Sequence, residues 1–264
     1  MAYAVGSTIA REFIDGFRFP QIWGMLGWDD IRQRYRRSLL GPFWITLSMG
    51  VFIVLLGVIY ARLFKTDIAV YLPYLSVGLV TWGFIATTTT EGCRAFQEGE
   101  RILKQIKLPY GVYILRVVWR NVIIFLHTIV IFIPVAVLFK VEPTWYMLLA
   151  LPGMALIYIN QVWVTFVLAI LCSRYRDIMP IVATTVQILM FATPIMYVRE
   201  SLGESAWIAD INPLYHLIEL VRAPLLGQAP AILSWQVGIA TAVVGTAMAL
   251  ALLVRTSRRI VFWV

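Results

Sequence analysis

The chain is poor in the side chains from which most enzymes build an active site. Its 264 residues include 2 cysteines and 2 histidines. Cys93 and Cys172 stand alone at the ends of apolar runs, so neither a disulfide framework nor a zinc spacing is supported. Both are expected to be inert thiols. His127 and His216 fall at different predicted depths without Cys or His partners at ligand spacing, and are read as core or interfacial residues. No G-x-x-x-x-G-K-[ST] run occurs, which excludes a P-loop of the chain's own. Acid–base or metal-assisted chemistry in a membrane needs carboxylates gathered at one depth. The one adjacent acidic pair, Asp29 and Asp30, fits half of a sugar-nucleotide metal motif and helix capping equally well. No cofactor or metal is expected here.

Charge is scarce as well. Asp, Glu, Lys and Arg make up 14% of positions and hydrophobic residues 61%, against about 45–50% apolar in a soluble domain. The excess must face lipid. Ten Trp and twelve Tyr suit the membrane–water interface, where an aromatic ring meets water along one edge. The net charge of +8 is therefore assigned to membrane orientation and to lipid phosphates, not to nucleic acid. The first residues carry Arg11, Glu12, Asp15 and Arg18 without an uninterrupted apolar core, which predicts a cytoplasmic arm and not a signal peptide. There is no clear internal repeat, Gly/Ser linker or low-complexity tract.

Crossing the hydrocarbon takes about 20 mostly apolar residues in helical form. Six stretches are predicted to span: 42–64, 70–91, 112–139, 145–172, 178–198 and 232–254. Placing the N-terminus inside puts fifteen Lys and Arg on the inner side. Five remain outside, namely Arg62, Lys65, Lys140, Arg199 and Arg222. The positive-inside rule then sets both termini in the cytoplasm. Residues 1–41 read as a cytoplasmic arm with an interfacial helix, and 42–264 as the membrane domain.

Before the first span stands "DDIRQRYRRSLLGPFW", residues 29–44. Trp28, Ile31, Tyr35 and Leu39 share one helical stripe, flanked by Arg32, Arg34, Arg36 and Arg37. That is the pattern of a helix lying along a membrane surface, with Gly41–Pro42 turning the chain into the span. Between the second and third spans, "CRAFQEGERILKQIKLPYG" predicts a short helix over 100–108 that Pro109 ends, with Ile102, Leu103 and Ile106 on one side and Arg101, Lys104 and Lys107 elsewhere. Residues 199–230 are too polar to span. There Leu214, Leu217, Ile218, Val221 and Leu225 recur at helical spacing, as in a re-entrant or interfacial hairpin on the outer face. Arg120 lies about 12 Å into the third predicted span at 1.5 Å per residue, too deep to reach the surface, so it should face protein or a wet cavity. Arg116 is near enough to the inner surface to snorkel. Aromatic side chains in the spans, among them Trp44, Phe52, Tyr60, Phe191 and Tyr197, together with Thr87 to Thr90, could face a sugar path or simply pack against lipid and neighbouring helices.

These segments, with "SRYRDI" at 173–178, "TPIMY" at 193–197 and "NPLYHLIELVRAPLLG" at 212–227, resemble in order and over nearly the whole chain the membrane subunit of ABC-2 type polysaccharide exporters. That group moves O-antigen, capsule and teichoic acid. The resemblance implies an all-α membrane protein of six transmembrane helices with an N-terminal amphipathic interfacial helix, a cytoplasmic coupling helix and an outer re-entrant or interfacial hairpin. It implies two copies of this chain paired with two ABC ATP-binding subunits that hold ATP and Mg, and a polyprenyl diphosphate-linked glycan as substrate. It further implies coupling through Glu100, Arg101, Ile102, Leu103, Lys104 and Gln105, diphosphate contact at Arg32, Arg34, Arg36 and Arg37, and a translocation path along Trp44, Phe52, Tyr60, Arg120, Phe191 and Tyr197. The chain has Gly-Glu-Arg-Ile-Leu at 99–103 where family members often have Asn-x-x-Leu-Ile, and Leu-Pro where Phe-Pro is common. A permease for drugs or other lipids shares the fold class. A polytopic glycosyl or phosphosugar transferase would require the acidic or His clusters that are missing.

Overall fold

The computed structural model describes residues 15–36, 41, 43–106 and 108–264, and of residue 258 the backbone only. Leu39, Pro42, Arg11, Glu12 and Lys107 lie outside the described residues, as does Arg37. The elements in chain order are α1 (Pro20–Arg34), α2 (Phe43–Leu63), α3 (Ile68–Gly92), α4 (Ala95–Glu98), α5 (Glu100–Gln105), α6 (Tyr110–Thr128), α7 (Phe132–Leu138), α8 (Ala150–Arg174), α9 (Ile178–Ala192), α10 (Trp207–Ile211), α11 (Pro213–Leu225) and α12 (Ile232–Trp263). No strand occurs among the described residues.

Among the described residues, five helical stretches are long and apolar enough to cross a membrane: α2, α3, the run Tyr110–Leu138, the run Trp145–Arg174, and Ile232–Ser257 of α12. The fifth predicted span, 178–198, is the shorter α9, 15 residues, or about 22 Å of helix against roughly 30 Å of hydrocarbon. After α9 the chain continues without helix through Thr193, Pro194 and Ile195, all buried. Asp67 marks the start of α3, where its side chain accepts a hydrogen bond from the Ala69 amide at 2.9 Å. The third span is interrupted by a 3₁₀ turn at Ile129–Ile131. Pro134 accounts for it, since its ring nitrogen cannot donate to the carbonyl of residue 130 and clashes with it. Thr128 Oγ1 bonds back to the carbonyls of Ile124 and Phe125 in the preceding turn, a contact that favours a bend at the same place.

α3 is the hub of the bundle. Of its most apolar stretch 72% is buried, against 11% for α2, and α2, α6, α8, α9 and α11 all pack on it. The most extensive helix pair is α8 with α12. Their backbones approach closely because Gly245 lies under the indole of Trp163, where an added Cβ would come within 2.1 Å of Cε2. Asn160 joins the same pair, donating to Gly238 O at 3.1 Å and accepting from Trp163 Nε1 at 3.0 Å. α11 begins at Asn212, whose side chain caps the Leu214 amide, and wedges against α3, α8 and α12 with Leu217, Ile218 and Val221 buried. α2 and α9 remain largely uncovered: Trp44, Phe52 and Phe191 are exposed, and no residue of α9 is buried.

Candidate functional site: an ion-pair junction at the basic end

α1 lies against α6, and Ile31 of the predicted stripe is buried while Trp28 is exposed. Trp23 meets Trp119 edge-on with centroids 5.7 Å apart. Gly27 and Ile31 are buried, and a Cβ on Gly27 would stand 3.1 Å from the Arg116 carbonyl oxygen. Trp28 points away and is exposed. The contact stripe is thus Trp23, Gly27 and Ile31, flanked by Asp30 and Arg34. A glycine in this row lets the helix backbones close.

Two helical repeats of four residues face each other here. On α1, Asp30 and Arg34 are one turn apart; on α6, Arg116 and Arg120 are one turn apart. Arg116 grips Asp30 as a fork, with Nε to Oδ2 at 2.8 Å and Nη2 to Oδ1 at 2.5 Å. Arg120, with a side chain 5% exposed, donates to Asp30 Oδ2 at 3.0 Å, to Glu98 Oε2 at 3.2 Å, and to Glu91 Oε2 at 2.7 and 3.1 Å. Glu91 also takes Arg34 Nη2 on Oε1 at 2.6 Å and Asn121 Nδ2 on Oε2 at 2.9 Å. Three guanidinium groups meet three carboxylates, so the junction is neutral as a whole. A charge buried without such partners costs several kcal/mol, and this pairing is what allows Arg120 to be buried.

Glu91 closes α3 and Glu98 closes α4, so the junction ties α1, α3, α4 and α6 together at one end. α4 is pinned by Phe96, which is fully buried among Tyr110, Tyr113 and Phe166. α5 follows directly. It runs from Glu100 to Gln105, shorter than the predicted 100–108, with Leu103 buried and Ile102 partly so. Arg101, Lys104, Gln105 and Ile106 are exposed. Ile106 therefore leaves the predicted apolar side, because the chain there is already extended. Lys104 pairs with Glu100 at 2.6 Å along the helix.

The arginines of the opening motif are thereby divided. Arg34 is held by Glu91, while the side chains of Arg32 and Arg36 are exposed and make no hydrogen bond or ion pair among the described residues. Arg120, expected on the translocation path, is held inside the junction. Its burial agrees with the expectation that an arginine so far along the span faces protein or a wet cavity. Of the other path candidates, Trp44, Phe52 and Phe191 are exposed, Tyr60 stacks on Phe64 at 5.6 Å, and the Tyr197 hydroxyl donates to Phe191 O at 3.2 Å. His127 Nδ1 bonds the Ile123 carbonyl of its own helix. No His, Cys, Asp and Glu group able to hold a metal occurs among the described residues.

Asp30, Glu91, Glu98, Arg116 and Asn121 were not singled out from the sequence as a site. The signal that would have found them is the pair of four-residue repeats, Asp30/Arg34 and Arg116/Arg120, beside an acidic residue ending the intervening span.

An all-helical polytopic protein with a basic helix clamped to one end of its spans, and a short helix displayed beside that clamp, belongs to the class of membrane transport subunits. The chain is a member of the ABC-2 type transporter family, which it matches over residues 21–226. It is similar to the O-antigen export system permease protein RfbA of Klebsiella pneumoniae, 27% identical over 194 residues that cover 72% of this chain and 74% of the relative. The RfbA permease of Myxococcus xanthus is 24% identical over 199 residues, covering 74% and 76%.

Proposed function

We propose that this chain is the transmembrane subunit of an ATP-driven exporter that carries lipid-linked polysaccharide, such as O-antigen on a polyprenyl diphosphate, across the cytoplasmic membrane. The named function of the relatives supports the substrate class. The observation that carries the mechanism is the junction itself, which links the basic helix α1 to the segment bearing α5. Six passes, with α9 and the buried stretch after it as the fifth, and both termini on the basic, cytoplasmic side, agree with the distribution of Lys and Arg. Residues 1–41 then form the arm and gate helix, and 42–264 the membrane domain. α11 becomes an outer re-entrant helix, its backbone shielded by protein as such segments require.

In this reading ATP and Mg are bound by a partner ATP-binding subunit that docks on α5 through Arg101, Lys104 and Gln105, with Leu103 and Ile102 anchoring the helix from behind. Movement of α5 passes to α4, and from Glu98 through Arg120 to Asp30 on α1. The junction has no net charge, so attraction for the lipid diphosphate falls to the uncommitted guanidinium groups of Arg32 and Arg36, and to Arg37, which follows them in sequence. Their planar forks match phosphate oxygens. Trp44, Phe52 and Phe191, uncovered on α2 and α9, meet a second copy of the chain and form the sugar path with it, along with Tyr60 and Tyr197.

The test is the double variant Arg32→Ala/Arg36→Ala. It is expected to insert, to co-purify with the ATP-binding subunit, and to leave glycan-lipid accumulating on the cytoplasmic side. Normal surface glycan from the correctly inserted variant counts against the reading.

A further inference from the structure

At the end of the bundle opposite the junction, the first turns of α3, residues 141–144, residues 198–210 and α11 surround a cavity of about 1080 Å³. That is slightly above the roughly 300–1,000 Å³ typical of small-molecule sites. Much of its polar lining is already committed. Arg222, almost wholly buried, donates to Pro194 O at 2.8 Å and to Glu219 Oε1 at 2.8 Å, and its Cζ lies 3.9 Å over the Tyr74 ring. Arg199 is forked onto Asp210 at 2.6 and 2.7 Å. The Asp210 carbonyl can only accept, so His216 Nε2 carries the hydrogen in that contact, and Nδ1 pairs with the Ser234 hydroxyl at 3.0 Å. These groups build the wall.

What remains differs in kind. Glu200, the Gln228 side chain and the Tyr215 hydroxyl line the cavity without a hydrogen bond among the described residues, and Glu219 keeps Oε2 unused. Both arginines are neutralised by Asp210 and Glu219, which leaves the carboxylates of Glu142 and Glu200 as an excess of negative charge. Such a lining repels phosphate and acidic sugars. Carboxylate and amide oxygens accept hydroxyl hydrogens, and the Tyr215 ring offers a flat apolar face. A ligand with many hydroxyl donors, apolar ring faces and no charge satisfies all of these.

We propose that this cavity is an exit subsite that holds uncharged sugar units of the exported glycan through Glu200, Glu219, Gln228 and Tyr215. The inference rests on the exporter reading above and adds to it a place and a charge preference. The experiment uses the purified full chain in nanodiscs and two probes: the host glycan freed from its carrier by mild acid, and an acidic hyaluronan oligosaccharide. Saturation-transfer NMR is expected to detect the freed glycan and not hyaluronan. Tyr215→Ala and Glu200→Gln should each weaken binding about fivefold or more, with Tyr215→Phe losing less because the ring stays. Should Tyr215→Ala fail to fold, Glu200→Gln at its exposed position carries the test. Hyaluronan binding as well as the glycan, or undiminished binding in the folded variants, overturns the proposal. A deletion strain with unchanged surface glycan overturns the exporter reading instead. Loss of surface glycan in that strain, with no binding by the purified chain, overturns the exit subsite alone.

Discussion

Replacing Glu91 by Gln tests whether the junction holds the basic helix to the spans. The carboxylate receives Arg34 on one oxygen and Arg120 and Asn121 on the other. The amide keeps the shape, but only one oxygen can accept, and the other position now presents hydrogens to a guanidinium. The Arg34 contact is between side chains 36% and 20% exposed, so its loss is worth about 0.5–1 kcal/mol. Arg120 is the larger matter. Stripping a partner from a buried charge costs about 3–5 kcal/mol. Asp30 and Glu98 stay within 3.0 and 3.2 Å of Arg120 Nη1, which lowers that share to about 2 kcal/mol. The sum, about 2–3 kcal/mol, corresponds to a fall in melting temperature of roughly 5–10 °C for a chain of this size. Intrinsic fluorescence on heating of the detergent-purified protein measures it, with Arg34→Ala as a milder companion expected to lose under about 3 °C. If Glu91→Gln melted within about 2 °C of the parent, the geometry would not be carrying the load assigned to it.

The glycines separate close packing from open surface. Gly245→Ala places a Cβ 2.1 Å from Trp163 Cε2, and should cost about 1–3 kcal/mol by forcing α8 and α12 apart. Gly50→Ala on α2 meets nothing within 4 Å and should be neutral or gain about 0.5–1 kcal/mol from helix propensity; the same melting assay reads both. The Arg199–Asp210 pair gives a pH response. The hydrogen bond from Arg199 holds the Asp210 carboxyl below its ordinary range, so its contribution is complete above the unfolded carboxyl pKa of about 4 and is lost as pH falls through the lower, folded value. Hydrogen exchange across residues 199–211, corrected for intrinsic rates, should accelerate in that acid window, and Asp210→Asn should show the faster rate at neutral pH already.

Hydropathy located the membrane helices well because burial in lipid is a property of each residue summed along the chain. α2, α3 and α11 begin and end within two residues of expectation, since Asp67, Asn212 and the flanking prolines and glycines act locally. Where the reading fell short, the cause lay in rotation and distance. Helical spacing grouped Trp28, Ile31, Tyr35 and Leu39 into one stripe without saying that Ile31 would be buried and Trp28 left exposed. Depth along the span said that Arg120 should face protein or a wet cavity, and it is buried in protein, but not that Asp30, Glu91 and Glu98 would be its partners.

Composition alone determined that this is a helical membrane protein, since so apolar a chain can satisfy its backbone in lipid only within helices or a closed barrel, and its apolar runs have the length of helices. Only the tertiary structure decided which charges are committed and which remain for a ligand. Asp30 and Arg116 are 86 residues apart, and Arg34 and Glu91 are 57 apart. Electrostatic pairing depends on distances of a few ångströms in space, and the helix rotations that set those distances come from packing among all the spans at once.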